Sequence, residues 1–438
     1  MILQEKSFGL LYKNKEERPA ENMRNCGTVS GRKRPNRMKR RGKMAEYLSP
    51  GVYVEDPDDL PGGMVGVGTS TAGFVGLAEK GKAGGEPVLV TNYSDFKRQY
   101  GGYLSEEVFG EYRYLAGAVE QFFQNGGTRC YVARVLPADA KTAVFENQVL
   151  TVRASSEGRW GNQVRLDFSE VARKKMQLLE QKSDKVYLAK SVSGFCEGSL
   201  VKAEEEYNRI TSICGNEVTF ENAFSQNVTD ENLLPEKYIL LSELEIQVRC
   251  KDETEEYTEL SLYEAAGNCM NRRIEKSGLV SVNYHGGTEE LRNPVEALQL
   301  GKDVASVLLE GGEDGTKEQV SAGTFTGMDG GPGARTGIQT FLDNHMVSMM
   351  AVPGITIPGV ITSLVAHCEK TLSRVAVLDM PRDMVDKRKL IEYRDQVDST
   401  YAAMYHPWIQ IFDHSNKKNA FFPPSGAVMG IYSGKIYN

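Results

Sequence analysis

Two stretches of strict strand–helix alternation, separated by a long stretch that lacks it, set the tightest limit on how this chain can fold. Thr71–Leu77 reads as a strand, Leu115, Val119, Phe122 and Phe123 share one face of a helix, Asn125-Gly126-Gly127 stops it, and Cys130–Val135 reads as the next strand. Pro137 closes this block. Alternation resumes beyond Gly330-Gly331-Pro332-Gly333. There Thr336 is placed to cap a helix containing Ile338, Phe341 and Leu342, Met346–Val352 reads as a strand and Val360–Thr371 as a helix. Arg374–Leu378 is the next strand, Asp383 is expected to cap a helix running to about Gln396, and Tyr401–Tyr405 is again a strand. Helix and strand in turn imply a largely parallel sheet covered on both faces.

The middle is different in kind. Runs such as Lys185–Leu188, Val218–Phe220 and Glu245–Arg249 alternate apolar and polar residues between charged turns, the pattern of short antiparallel strands with one wet face. Leu262 through Ile274 is the one candidate helix there. The expected fold class is therefore α/β: a discontinuous core whose largely parallel sheet is built from both chain ends, with a mainly β domain inserted. The expected division is 1–43 a basic leader, 44–148 the first part of the core, 149–305 the β-rich insertion and 306–438 the second part of the core.

Charge is unevenly spread along the 438 residues. Residues 1–43 hold 13 Lys/Arg against 4 Asp/Glu, whereas the rest holds 39 against 55. The head lacks the apolar stretch of a secretory signal, because Phe8-Gly9-Leu10-Leu11-Tyr12 is too short. It is either a basic arm for nucleic acid or not native, and the second is preferred: Arg40-Arg41 can be encoded as a ribosome-binding sequence, with Gly42 and Lys43 as spacer before a start at Met44. The acidic remainder argues against a nucleic-acid partner. Ala351–Ala366, the most apolar stretch, is interrupted by Pro353, Gly354 and Pro358, so no membrane insertion is expected. Seven scattered cysteines without a Cys-x-x-Cys pair suit reduced thiols, and five histidines with no i, i+4 pair give no expected metal site.

Candidate chemistry is sparse. Gly66-Val67-Gly68 leads into a strand, not onto a helix N-terminus, so it is read as a structural loop and no nucleotide cofactor is expected. Gly330–Gly333 lacks the Gly-Lys-Ser/Thr of a phosphate loop. His367 and Cys368 are neighbours on a helix, point about 100° apart and cannot pair, so a packed cysteine beside a partly exposed histidine is expected. Asp379, at a strand end where α/β enzymes keep reactive groups, joins Asp343 and His345 as the ingredients of an enzyme alternative near Pro353, though a capping or turn role is preferred for it. Trp160 and Trp408 read as core or interface anchors. Gly51-Val52-Tyr53-Val54-Glu55, bounded by Pro50 and Pro57, reads as an extended strand that serves either as an internal edge or as an arm pairing with a neighbouring molecule's sheet.

An ordered series of segments resembles the contractile tail sheath proteins of bacteriophages and related injection devices. It begins with Ser49-Pro50-Gly51-Val52-Tyr53-Val54-Glu55, Thr69-Ser70-Thr71-Ala72-Gly73-Phe74-Val75-Gly76, Pro87-Val88-Leu89-Val90-Thr91-Asn92, and Phe96 to Gly101-Gly102. It continues through Phe122-Phe123-Gln124-Asn125-Gly126-Gly127-Thr128-Arg129-Cys130-Tyr131-Val132 and Gly158-Arg159-Trp160-Gly161-Asn162. It ends with Leu309-Glu310-Gly311-Gly312-Glu313-Asp314-Gly315, Ala351-Val352-Pro353-Gly354, Val377-Leu378-Asp379 and Pro423-Pro424-Ser425-Gly426. Any one segment is weak evidence; their order over residues 44–430 is the signal.

The resemblance implies a non-enzymatic structural subunit, without cofactor or metal, in a virion tail assembled in the bacterial cytoplasm. Its implied partners are itself, in stacked hexameric rings forming a helical sheath, the tail tube protein, and baseplate and tail terminator proteins. The segment matching the family's inter-subunit strand is Gly51, Val52, Tyr53, Val54 and Glu55. A baseplate or receptor-binding module reusing the same core is a further alternative. Family members continue well past the Gly-Ile-Tyr found here at Gly430-Ile431-Tyr432, so the C-terminal strand partner and the tube-facing helix are expected to be missing.

Overall fold

The computed structural model describes residues 71–225, 228–229, 238–287, 291–300, 304–413 and 416–435. Expectations for residues 1–70, including the arm Gly51–Glu55 and the loop Gly66–Gly68, lie outside them.

A run of six small and apolar residues with no polar face, too short for a buried helix, suits a strand covered on both sides. Ala72–Leu77 (β1) is such a run, and all six of its residues are buried. It sits in the middle of a six-stranded sheet. On one side lie Val88–Val90 (β2) and Cys130–Val135 (β3), in the order β2-β3-β1; on the other lie Met349–Ala351 (β4), Val375–Asp379 (β5) and Ala402–Tyr405 (β6). All neighbours run parallel except β2, which is antiparallel to β3. The α/β core is thus built from both chain ends, and its two contributions meet at the β1–β4 ladder, Ala72↔Met349, Gly73↔Met350 and Phe74↔Ala351.

Helices Tyr93–Tyr100 (α1) and Leu115–Gln124 (α2) cover one face through Phe96, Tyr100, Leu115, Val119 and Phe122. Pro358–Thr371 (α3) covers the other with Val360, Ile361, Leu364 and Cys368, joined by Ile338 and Phe341 of the 3-10 turn Gly337–Phe341. The apolar spacing read from the sequence is the spacing these faces bury. Lys387–Arg394 (α4) starts later than expected. Asp386, not Asp383, caps it by accepting from the Arg388 N–H at 2.8 Å, because the chain leaving β5 through Pro381 has first to turn.

Ser425–Lys435 (α5) returns to lie against α2. Gly426 and Gly430 let the two backbones touch: a Cβ on Gly426 would sit 2.1 Å from Ala118 O, and one on Gly430 2.4 Å from Phe122 O.

Between the two halves of the core the chain is β-rich. Arg165–Val171 pairs with Glu243–Cys250 and with Val304–Leu308 in a four-stranded sheet edged by Glu253–Leu260. A three-stranded sheet of Val144–Glu146, Leu150–Ala154 and Val280–Tyr284 shares its core, which includes Val152, Trp160, Leu166, Phe168, Ile246 and Val248. Seven strands, the first starting at Lys175 and the last ending at Leu241, form a separate sheet around Met176, Tyr187, Val201, Ile210, Val218 and Phe220. This sheet lies in the chain between two strands that pair with each other, Arg165–Val171 and Glu243–Cys250. Of the helix expected over Leu262–Ile274 only Met270–Ile274 forms. Gly267 and Asn268 interrupt it, and the Asn268 amide bonds back to the Glu259 carbonyl.

Candidate functional site

Parallel α/β sheets bind ligands in the crevice beyond the carboxyl ends of their strands. Here that crevice is filled. Asp379 ends β5 with only 3% of its surface exposed. Its carboxylate accepts from Gly354 N at 2.9 Å and from Ser425 N and Oγ at 2.9 and 2.7 Å. Burial pushes its pKa up to about 6, against the pull of these three donors. The group expected as a possible reactive carboxylate is thus a clamp, tying the turn after β4 to the first residue of α5. Ser425 is itself fully buried.

The other ingredients of the enzyme alternative lie elsewhere. Asp343 is bonded to Arg335 and His345 is exposed, and both precede β4 at the amino ends of the strands. A five-residue strand separates that end from Asp379 by roughly 16 Å. The structure does not bring the three residues together. His367, expected to be partly exposed, is buried at 4% exposure because the Arg374 side chain folds under α3 against it. Cys368 is fully buried, as the sequence suggested, and burial raises its thiol pKa to about 12.

What stands over the strand ends is a two-stranded antiparallel sheet, Ile409–Asp413 (β7) and Lys418–Phe422 (β8), in the register Ile409↔Phe422 to Asp413↔Lys418. Among the described residues it pairs with no other strand. Its inner face is locked down. Phe422 packs edge-on against Tyr103 and Tyr114, and Tyr114 packs edge-on against Trp408 with ring centroids 4.9 Å apart. Trp408 Nε1 donates to Met380 O at 2.8 Å, just past the end of β5. Gly117 on α2 makes room for this cluster, since a Cβ there would lie 2.4 Å from the Phe422 ring.

A buried ion pair completes the anchor. Arg113, 3% exposed, binds the fully buried Asp413, and its guanidinium lies 5.3 Å and 5.4 Å from the ring centres of Tyr114 and Phe422. Burial alone would raise the Asp413 pKa, but donors from Asn416 and Arg113 hold it below the usual carboxylate value. Glu106 lies 3.6 Å from Arg113 and 3.1 Å from Lys418, tying the turn end of the hairpin to the same place. On the outer face Phe412 and Phe421 are 49% and 40% exposed. The hairpin thus presents an aromatic outer face on a base held by both halves of the core.

No family model and no curated protein matches the chain. Among solved structures it is similar to a protein from Listeria innocua at 11% identity and a TM-score of 0.44, covering 84% of this chain and 56% of that one. It is also similar to one from Desulfitobacterium hafniense at 11% identity and a TM-score of 0.36, covering 88% of this chain and 61% of that one. Both are sheath tail proteins. This chain spans less than two thirds of the length of either.

Sequence reasoning missed β7, β8 and α5 as elements. The available signals were the alternation Ile409, Ile411 against Gln410, Phe412 and the repeat Gly426, Gly430, Gly434 at one helical face.

Proposed function

We propose that the chain is a structural subunit of a contractile tail sheath, polymerising in rings around a tail tube, and that β7–β8 is the acceptor for extended segments of neighbouring copies. The observation that carries this reading is the two-stranded sheet that no third strand joins among the described residues, built where an α/β enzyme would keep its active site. The ordered series of sheath-like segments in the sequence supports it independently.

The donor in this reading is Gly51, Val52, Tyr53, Val54 and Glu55 of a second copy. Its alternation fits the acceptor: Val52 and Val54 continue the inner face of Ile409, Ile411 and Ala420, and Tyr53 and Glu55 join the outer face, where Phe421 and Arg382 already pack at 5.1 Å. Backbone pairing keeps neighbours connected while they rotate, since it depends little on side-chain identity. Contraction is then a shift between two packings of the same connected mesh, requiring no catalytic group. In the same reading residues 44–148 and 306–438 form the core, 149–305 projects outward, and tube, baseplate and terminator proteins are the further partners.

The test is sedimentation velocity of the chain against a variant beginning at Asp58. The reading expects concentration-dependent association of the full chain and its loss in the variant. Association unchanged by the deletion would refute the arm as donor.

A further inference from the structure

The core contains a buried cation that no carboxylate balances among the described residues. Arg374 stands immediately before β5 with its side chain 2% exposed. Its guanidinium donates to Phe341 O at 2.9 Å and Asn344 O at 2.7 Å, lies 3.8 Å from Met350 Sδ, and places Nη1 3.3 Å from His367 Nε2. Arginine stays protonated, so this last contact requires the Nε2 lone pair, and the imidazole is neutral with its proton on Nδ1. His367 Nδ1 and Arg374 Nε have no hydrogen-bond partner among the described residues.

The groups around the ring do not invite a second charge. From α3 they are the buried thiol of Cys368 and Lys370, while Glu369 is turned away to Ser399 at 2.7 Å. From the link between α3 and β5 it is Arg374. From the segment before β4, Asp343 is engaged by Arg335 and His345 is exposed. Burial first, then Arg374 and Lys370, press the imidazole pKa down to about 4.

The position matters as much as the charge. Phe341 and Met350, two of the residues that receive Arg374, also form the floor under Gly73 of β1. A Cβ on Gly73 would meet Phe341 Cε1 and Val347 Cγ1 at 2.9 Å and Met350 Cγ at 3.3 Å. Gly73↔Met350 is the middle pair of the three-residue ladder where the two chain ends join. We propose that His367 and Arg374 form an acid-sensitive latch beneath this seam. Protonation of the imidazole removes an acceptor from Arg374, sets two cations side by side in the core, and releases segment 341–350 from β5 and β1. The latch does not depend on the sheath reading.

Hydrogen exchange of the full chain between pH 7 and pH 4.5, corrected for intrinsic rates, tests it on peptides covering 341–350 and 364–379. A proton taken up only by the open state multiplies the opening constant about tenfold per pH unit below 6.5. The latch therefore predicts a rise on the order of 50- to 100-fold by pH 4.5 in these peptides. In His367→Gln, whose amide oxygen can accept where Nε2 did, the rise falls below about threefold. Equal acid sensitivity in both proteins overturns the latch. If the variant does not fold, NMR of the His367 ring in the native chain decides. A neutral ring protonated at Nδ1 down to pH 5 supports the latch; titration near pH 6.5 with protection intact overturns it.

Discussion

The contact between α5 and α2 gives a prediction whose sign changes along one helix. In an exposed helix, Gly→Ala stabilises by about 1 kcal/mol through backbone entropy. At Gly426 the added Cβ would lie 2.1 Å from Ala118 O, 2.6 Å from Ala118 Cα and 2.7 Å from Ala118 C, all backbone atoms that cannot swing aside. Ordinary contact begins near 3.4 Å, so α5 has to retreat by about an ångström, loosening Met429 and Ser433, both buried. Overpacking of this kind costs about 1–3 kcal/mol, and separating a seated helix puts Gly426→Ala at or above the upper end of that range. Gly434, two helical steps on, has its nearest neighbour at 3.5 Å, an ordinary contact. Gly434→Ala is therefore expected to be neutral or to stabilise by up to about 1 kcal/mol, less if the last turn frays. Urea unfolding followed by circular dichroism, comparing midpoints at constant slope, separates the two. Equal effects at both positions, or stabilisation by Gly426→Ala, would refute the backbone-contact reasoning.

Further outcomes follow from the anchor of β7–β8 and the strand ends. Asp413→Ala leaves the buried Arg113 with only the half-exposed Glu106 at 3.6 Å and should destabilise by about 2–4 kcal/mol, whereas Phe412→Ala on the exposed outer face should stay within about 1 kcal/mol; urea midpoints check both. Asp379→Asn replaces an acceptor oxygen by an amide that faces donors from Gly354 or Ser425, with an expected cost of about 1–2 kcal/mol at pH 7. For wild-type Asp379 the folded pKa of about 6 lies above the ordinary 3.8, so its contribution to stability is full below pH 3.8 and is lost as pH rises through 6. The stability gap between Asp379→Asn and wild type should accordingly shrink between pH 4 and pH 6, opposite in sign to the effect of His367; a gap that does not vary with pH would contradict the placement of that carboxylate.

The parts of the fold visible in the sequence are those in which local pattern and tertiary role coincide. Cys130–Val135 was readable to the residue because its run is apolar apart from Arg134, whose guanidinium is received by the carbonyls of Ala78, Gly81 and Glu157, and α2 because its buried positions recur at helical spacing. The discontinuous core followed from the same alternation appearing twice. The nested seven-stranded sheet was not readable, since its strands share one wet-faced pattern with those around them and nothing local says which pair with which. Expectation also failed where a long-range partner decides. His367 carries no sign of burial in its own segment; Arg374, just ahead of the next strand, imposes it. Asp379 sits at a position typical of enzymes, and only Ser425, which comes 46 residues later, turns it into a clamp. The hairpin β7–β8 has recognisable alternation, but that no third strand joins it among the described residues is a matter of long-range pairing, which sequence does not record.

The account rests on self-association through extended segments, and negative-stain electron microscopy of residues 44–438 at high concentration tests that most directly. Tubes or stacked rings, lost when the chain begins at Asp58, are the predicted result. Uniform single-subunit particles at every concentration, with and without residues 44–57, would contradict it.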